Sequence, residues 1–307
     1  MAYVTASGVP SQASVYAPEL WATELLREFY TRTVFSEIAN TNYEGQIEKQ
    51  GCSVHIPDLP DITIRDHAIG QKLTYEFPEP ADTELLIDKG KYYGFVIDSV
   101  QKKQSAYDYM LKWAEKAGKK MKKAIDVDVL ANAYGSVHAS NAGLTAGAKS
   151  SSYNIGVTGT PVALTKTNIV DYIVDCGSVL EEQDIPVEEG CFMVLPVCAT
   201  GLIRKSDLKD ASMTGDGKSL TRTGRLGMIY PFTIYASNNL ATSADGGYNC
   251  WNAIFGHKDG LTFASQLTEN EIIPNPNGFG KLCRGLQVYG YKVTIPKALG
   301  HFYFRKA

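Results

Sequence analysis

The stretch CSVHIPDLPDITIRDHAIGQKLTYEFPEPADTELLI, residues 52–87, decides the fold. Apolar residues recur there at every second position: Val54 and Ile56, Ile62 and Ile64, Leu73, Tyr75 and Phe77, then Leu85 and Ile87. A period of two is strand patterning, and the polar run Asp66 to Lys72 places a hairpin tip between the two arms. Pro57, Pro60, Pro78 and Pro80 fall at similar distances from that tip on both sides. Proline has no N–H to give to a ladder, so both arms are expected to be irregular or edge-like there. An isolated two-stranded ribbon is marginal in water, so one carrying large apolar residues is expected to pack on something else. A neighbouring subunit is the economical choice.

Downstream, Ser105 to about Tyr134 has the period of a long helix, with Ala106, Met110, Trp113, Ala117, Met121 and Ala124 on one stripe. At about 1.5 Å per residue it spans roughly 40 Å, the length of a spine. Lys112, Lys116, Lys119, Lys120, Lys122 and Lys123 lie off that stripe. They form a solvated helix face beside Asp126 and Asp128, the alternative being a face turned towards DNA. Trp113, Met110 and Met121 are read as core rather than as a ligand groove.

Upstream, Pro18 to Tyr30 is an amphipathic helix carrying Leu20, Trp21, Leu25 and Phe29, preceded by an uncharged arm, Ala2 to Ala17. Beyond the spine, Ser136 to Pro161 is rich in Gly, Ser, Ala and Asn and is expected to be a surface connection and a domain boundary. A second helix is expected from about Lys166 to Gln183, with Thr165 or Thr167 as N-cap and Pro186 ending the element. Phe192 to Pro196 is an apolar strand, Ala199 to Lys205 a short helix, Asp207 to Thr223 a polar loop and Gly227 to Ser237 a strand. Asp245 to Phe279 mixes short apolar patches with turn residues, while Leu286 to Val293 and Gly300 to Phe304 are strand-like and complete a sheet begun earlier. Strand, helix and strand in this order make an α+β chain.

The 307 residues are 44% hydrophobic and 21% charged, enough for a real core in one elongated or two closely connected domains. A formal net charge of −3 argues against a protein whose main task is gripping phosphate backbones. No stretch has the length of apolar sequence that a membrane span needs, and Met1 to Gln12 lacks the pattern of a signal peptide, so a soluble protein made in a cytoplasm is expected. Cys52, Cys176, Cys191, Cys198, Cys250 and Cys283 show no paired framework and are read as reduced and buried.

The order of parts resembles the major capsid proteins of tailed bacteriophages, the Hong Kong 97 fold. Leu85-Leu-Ile-Asp-Lys-Gly-Lys-Tyr-Tyr-Gly-Phe-Val-Ile-Asp98 resembles the family's segment between extended loop and spine helix, and Lys123-Ala-Ile-Asp-Val-Asp-Val-Leu130 resembles the far end of that helix. Thr165 to Leu180, Phe192-Met-Val-Leu-Pro196 and Gly224-Arg-Leu-Gly-Met-Ile-Tyr-Pro-Phe-Thr-Ile-Tyr-Ala-Ser-Asn238 resemble the helix, strand and glycine-led strand of its axial domain. Val288-Tyr-Gly-Tyr-Lys-Val293 resembles its closing strand. The resemblance runs from about residue 18 to the end.

It implies an N-terminal arm and short helix at 1–51 and an extended loop at 52–87. It further implies a peripheral domain of 88–160 plus 281–307, with the spine helix at about 105–134, and an axial domain of 161–280. It implies a virion structural protein, not an enzyme, that assembles with itself as hexamers and pentamers into an icosahedral shell. The shell would form in the host cytoplasm and enclose DNA without sequence-specific binding. A separate scaffolding protein, a portal protein and a decoration protein are the implied partners, with no membrane and no cofactor. Some members join subunits by a lysine–asparagine isopeptide bond, for which Lys72 near the tip is the donor that the resemblance suggests. A cellular nanocompartment shell of the same fold is the alternative.

A cytosolic hydrolase is the alternative of another class, and its chemistry finds no complete motif. Cys52, His55 and His67 lack the fourth ligand that structural zinc prefers. Cys191 and Cys198 sit in apolar sequence where a thiol is inert. Gly215-Asp-Gly-Lys-Ser219 ends like a phosphate loop, but Ser212 stands where the first glycine belongs. No catalytic, cofactor-binding or metal-ligating residue is assigned.

Overall fold

The computed structural model describes residues 33–42, 53–57, 60, 62–79, 82–99, 103, 109–187, 190–206, 228–229 and 231–307. These belong to the compact unit Thr31–Ala307. The expected arm Ala2 to Ala17, the helix Pro18 to Tyr30, Cys52 and the loop Asp207 to Thr223 lie outside the described residues.

The centre is a mixed seven-stranded sheet. Its main path runs β4 (Val162–Leu164), β12 (Leu299–Lys306), β9 (Tyr248–His257), β5 (Cys191–Leu195), β7 (Phe232–Ala236) and β6 (Met228–Ile229), with β8 (Thr242–Asp245) also on β9. Strand β5 is buried at every position. Its alternate residues serve two cores: Cys191, Met193 and Leu195 on one face, Phe192 and Val194 on the other. A strand buried on both faces has to be a continuous apolar run, as this one is.

The first face is covered by the helices α3 (Ile169–Glu181) and α4 (Val197–Lys205). Ile169, Ile173, Cys176, Val179 and Leu180 of α3 meet Phe255, Phe302 and Phe304 of the sheet there. The cap of α3 departs from expectation: Asn168 is the N-cap residue, and it exchanges hydrogen bonds with Thr165 in both directions, at 2.7 and 3.3 Å. The helix closes at Glu181, three residues before the left-handed Asp184 (φ 58°). Pro186 lies beyond.

The second face meets the C-terminal half of α2 (Tyr109–Asn132), the described part of the long helix. Lysine and alanine are strong helix formers, and this stretch is rich in both. Ile125, Val129 and Leu130 are fully buried against Phe192, Val194, Ile254 and Tyr289, together with Ile38 of the short helix α1 (Phe35–Ile38) and its N-cap residue Val34. After Asn132 the chain tightens into a 3₁₀ turn, Ala133–Ser136.

A second sheet holds three strands in the order β10 (Leu261–Pro274), β11 (Gly280–Val293) and β3 (Lys89–Asp98), all antiparallel. Strands β10 and β11 have 14 residues each, so the hairpin reaches roughly 45 Å. Their pairing crosses residue 280, and β12 returns the chain to the seven-stranded sheet. The C-terminal strand thus completes a sheet begun at Val162.

Residues 136–161 are more than a surface connection. Ala146 and Ile155 are fully buried in the first core, and Asn141 donates to the carbonyls of Lys297 and Leu299 at 2.7 and 2.9 Å. Small residues let the backbone approach closely: Gly156, at φ +80°, lies so near the Tyr303 carbonyl that a Cβ would clash.

Candidate assembly surface

A ladder of five pairs forms the foot of the sequence-predicted hairpin. Strand β1 (Ser53–Pro57) runs antiparallel to β2 (Asp82–Leu86), from Ser53 opposite Leu86 to Pro57 opposite Asp82. Leu85 and Ile87 pack with Ala264, Val54, Ile56 and Val288, seating the foot on the three-stranded sheet. Gly290 lies directly under the Leu86 carbonyl, where a Cβ would have no room, and the Lys292 ammonium donates to the Glu84 carbonyl at 3.0 Å.

Beyond Pro57 the ladder stops, which corrects the expectation of strand pairing towards the tip. Residues 62–79 carry no strand, though their turn lies where expected. Gln71 N–H donates to the Ala68 carbonyl at 3.0 Å, and Gly70 supplies the left-handed φ of +85°. One side chain ties the arms: Glu76 accepts from the Thr63 amide at 2.7 Å and pairs with Arg65 at 3.6 Å. The alternating apolar residues of 62–79 are all outside. Ile64 is 91% exposed, Ile69 104% and Phe77 94%, with Ile62, Leu73 and Tyr75 exposed as well. Six large apolar side chains on one projecting loop are far more than isolated surface hydrophobes. Lys72 is exposed on the same loop.

The spine is locked to the chain around it by two polar networks. Asp126, fully buried, accepts from the Val34 and Phe35 amides at 2.8 and 2.9 Å, capping the first turn of α1, and from the Asn239 side chain at 2.7 Å. Lower down, Asp128 accepts from Lys89 at 3.2 Å and from the Tyr289 hydroxyl at 2.9 Å. Lys89 also donates to the Tyr291 hydroxyl at 2.7 Å, and Asn132 donates to that hydroxyl at 2.9 Å. Burial works to lower the Lys89 pKa, but the bonds to Tyr291 and Asp128 prevail and raise it. That lysine is a fixed cation, not a nucleophile.

The residues weighed for chemistry are not brought together. His55 pairs with Asp82 across the β1–β2 ladder, His67 is exposed on the loop, and among the described residues no group of three metal-ligating side chains forms. Cys191 lies opposite His257 in the β5–β9 ladder, yet its thiol donates to the Pro186 carbonyl at 3.8 Å. Burial pushes that thiol up to about 11, raises Cys198 too, and holds Cys176 well above the usual range. These are inert thiols. The Gly215 to Ser219 stretch lies outside the described residues.

Trp113 is 43% exposed and meets the Phe95 ring edge-on at 5.8 Å, so it covers β3 from the rim instead of entering the core. Next to it, Ala114, Gly118 and Met121 of α2 line a shallow groove of about 380 Å³ with Tyr93, Ile272 and Cys283 of the sheet. The hairpin β10–β11 was not read from sequence, although Asn275-Pro-Asn-Gly278 between Ile273 and Leu282 is a turn signal of the usual kind.

No protein-family model and no curated protein matches the chain. Solved structures do. A structure from Mycobacterium phage Che8 is 24% identical with a TM-score of 0.76, covering 94% of this chain and 97% of that one. The capsid structure of the cyanophage P-SCSP1u is 15% identical with a TM-score of 0.72, covering 99% and 97%. The mature capsid of bacteriophage PhiM1 is 16% identical with a TM-score of 0.66, covering 94% and 92%. Nearly the whole of each chain is covered, at low identity. The chain therefore has the α+β fold of phage capsid proteins.

Proposed function

We propose that the chain is a major capsid protein of the Hong Kong 97 type, self-assembling as hexamers and pentamers into the icosahedral shell around the genome of a tailed double-stranded DNA phage. One observation carries the reading: the apolar loop 62–79 stands out from a seated foot with Ile64, Ile69 and Phe77 fully outside the chain's own core. Such a surface is unfavourable in an isolated molecule and favourable once another copy covers it. Each contact can be weak, because a subunit held by several neighbours gains effective concentration, and closed symmetry stops open-ended growth. The likeness to capsid chains over nearly full length supports the same reading.

In this proposal residues 52–87 are the loop that reaches over an adjacent subunit. Residues 88–160 with 281–307 form the peripheral domain and 161–280 the axial domain, with β10 paired to β11 and β12 paired to β9 across that division. A scaffolding protein assists assembly in the host cytoplasm, and portal and decoration proteins join the shell. The role is structural, and the thiols of Cys176 and Cys191 serve packing.

Replacing residues 62–79 by a short Gly-Ser linker tests the assignment. The foot and both cores lie outside that segment, so the variant is expected to remain folded and form no closed shells in electron micrographs. Normal shells from the variant would remove the loop from the assembly mechanism.

A further inference from the structure

The lysines of α2 are arranged more strictly than solubility requires. Lys112, Lys116, Lys119 and Lys123 follow the spacing i, i+4, i+7, i+11. At 3.6 residues per turn they fall within about 60° of arc and along about 16 Å of helix. Lys120 and Lys122 flank that row at about 80° on either side. Ala114, Ala117, Met121 and Ile125 occupy the opposite arc, towards the sheet and the core. Between Lys112 and Lys123 the only acid is Glu115. The next one, Asp126, is consumed by Val34, Phe35 and Asn239. Lys112, Lys116, Lys119, Lys120 and Lys122 are exposed and Lys123 half-buried. Among the described residues no ion pair joins Lys112, Lys119, Lys120, Lys122 or Lys123 to a carboxylate.

We infer that this row is a contact surface for the phosphate backbone of double-stranded DNA. Like charges at i, i+4 cost helix stability, by about 0.2–0.5 kcal/mol per pair, so the pair Lys119 and Lys123, neither joined to a carboxylate among the described residues, is a cost in the free chain that a polyanion relieves. One strand of a duplex carries a charge about every 3.4 Å along the axis, so about 16 Å of lysines faces four or five phosphates. Lysine is a compact, strongly hydrated point charge without arginine's fork, suited to sequence-blind contact rather than to a fixed bidentate pair. The net charge of −3 and a screening length of about 8 Å confine the attraction to the row itself. Each copy therefore binds weakly, and many copies bind together. The inference deepens the shell reading, which supplies the DNA.

The test is a salt titration of the full, unassembled chain with a fluorescent duplex of about thirty base pairs, read by anisotropy. The wild-type slope of log affinity against log salt should lie near −4, and the pair Lys119→Gln, Lys123→Gln should make it shallower by about 2. The pair Lys166→Gln, Lys297→Gln, on exposed lysines elsewhere, should leave it unchanged. Glutamine keeps helix propensity, and matched circular dichroism confirms folding. An unchanged slope in the α2 pair overturns the inference. Tighter binding of a poly-glutamate of equal charge also overturns it, assigning the row to an acidic protein. Electron microscopy of the same variants keeps the two readings apart: closed shells with a flattened salt slope place the loss in DNA contact alone, whereas a wild type without shells fails the shell reading while the slope still reports on the row.

Discussion

The side-chain amide of Asn239 donates to Oδ2 of Asp126 at 2.7 Å, joining positions 113 residues apart in a site that water does not reach. With the Val34 and Phe35 amides on Oδ1, one carboxylate fastens the spine to the chain before it and to the loop after β7. Asp126→Ala would leave two buried donors, on Val34 and Asn239, and the part-buried Phe35 amide without this partner. It is expected to lose about 3 kcal/mol of stability in urea unfolding of the unassembled chain. A loss below about 0.5 kcal/mol, the usual scale of a surface change, would show that the network contributes little.

Gly290 sets how closely the foot of the loop sits on β11. A methyl group there would meet the Leu86 carbonyl, so Gly290→Ala should push β2 off the sheet, at a cost of about 2 kcal/mol. Hydrogen exchange should quicken across 82–87 while the amides of 191–195 keep their protection. Unaltered exchange at 82–87 would contradict this seating.

His301 makes stability depend on acid. Its ring stacks on Tyr134 at 5.0 Å and pairs with Asn252 Oδ1 at 3.0 Å; that oxygen can only accept, so Nε2 carries the proton of a neutral imidazole. Burial holds its pKa down to about 4, against 6.5 when unperturbed. A base whose folded pKa is lowered contributes fully above the unfolded value, and the contribution disappears as pH falls towards the folded one. Stability should therefore decline between about pH 6.5 and pH 4, by on the order of 2–3 kcal/mol from this group. His301→Gln should flatten that part of the profile; an identical profile in the variant would assign the acid sensitivity elsewhere.

The exposed loop side chains predict a separation of folding from assembly. Ile64→Ser with Phe77→Ser should shift unfolding by no more than about 0.5 kcal/mol, because both lie outside the core. The same pair should reduce shell yield at least tenfold in sedimentation of the assembled material. A large loss of stability with assembly intact would reverse their roles.

Much of this was legible in the sequence. The apolar run Phe192 to Pro196 announced a strand, which the fold buries on both faces, and the stripe through Met121 and Ala124 announced the spine. The loop was legible as a period of two, but that period describes which side chains alternate, not whether a partner strand exists. Past Pro57 there is none among the described residues, so Ile64 and Phe77 alternate in open solvent. Strand β10 was missed because its outer half, Glu269-Asn-Glu271, presents polar residues on a thin three-stranded sheet whose apolar demand is small. Asp126 could not have been found from sequence, since its partners Val34, Phe35 and Asn239 are brought to it only by the fold.

The central claim is that the apolar loop makes this chain a shell subunit, and electron microscopy of the purified full chain tests it most directly, at rising concentration and with a scaffolding protein present. Closed particles of icosahedral symmetry are expected, with density for residues 62–79 of each copy lying over its neighbour. A chain that stays monomeric under all these conditions, or shells in which that loop contacts no other subunit, would contradict it.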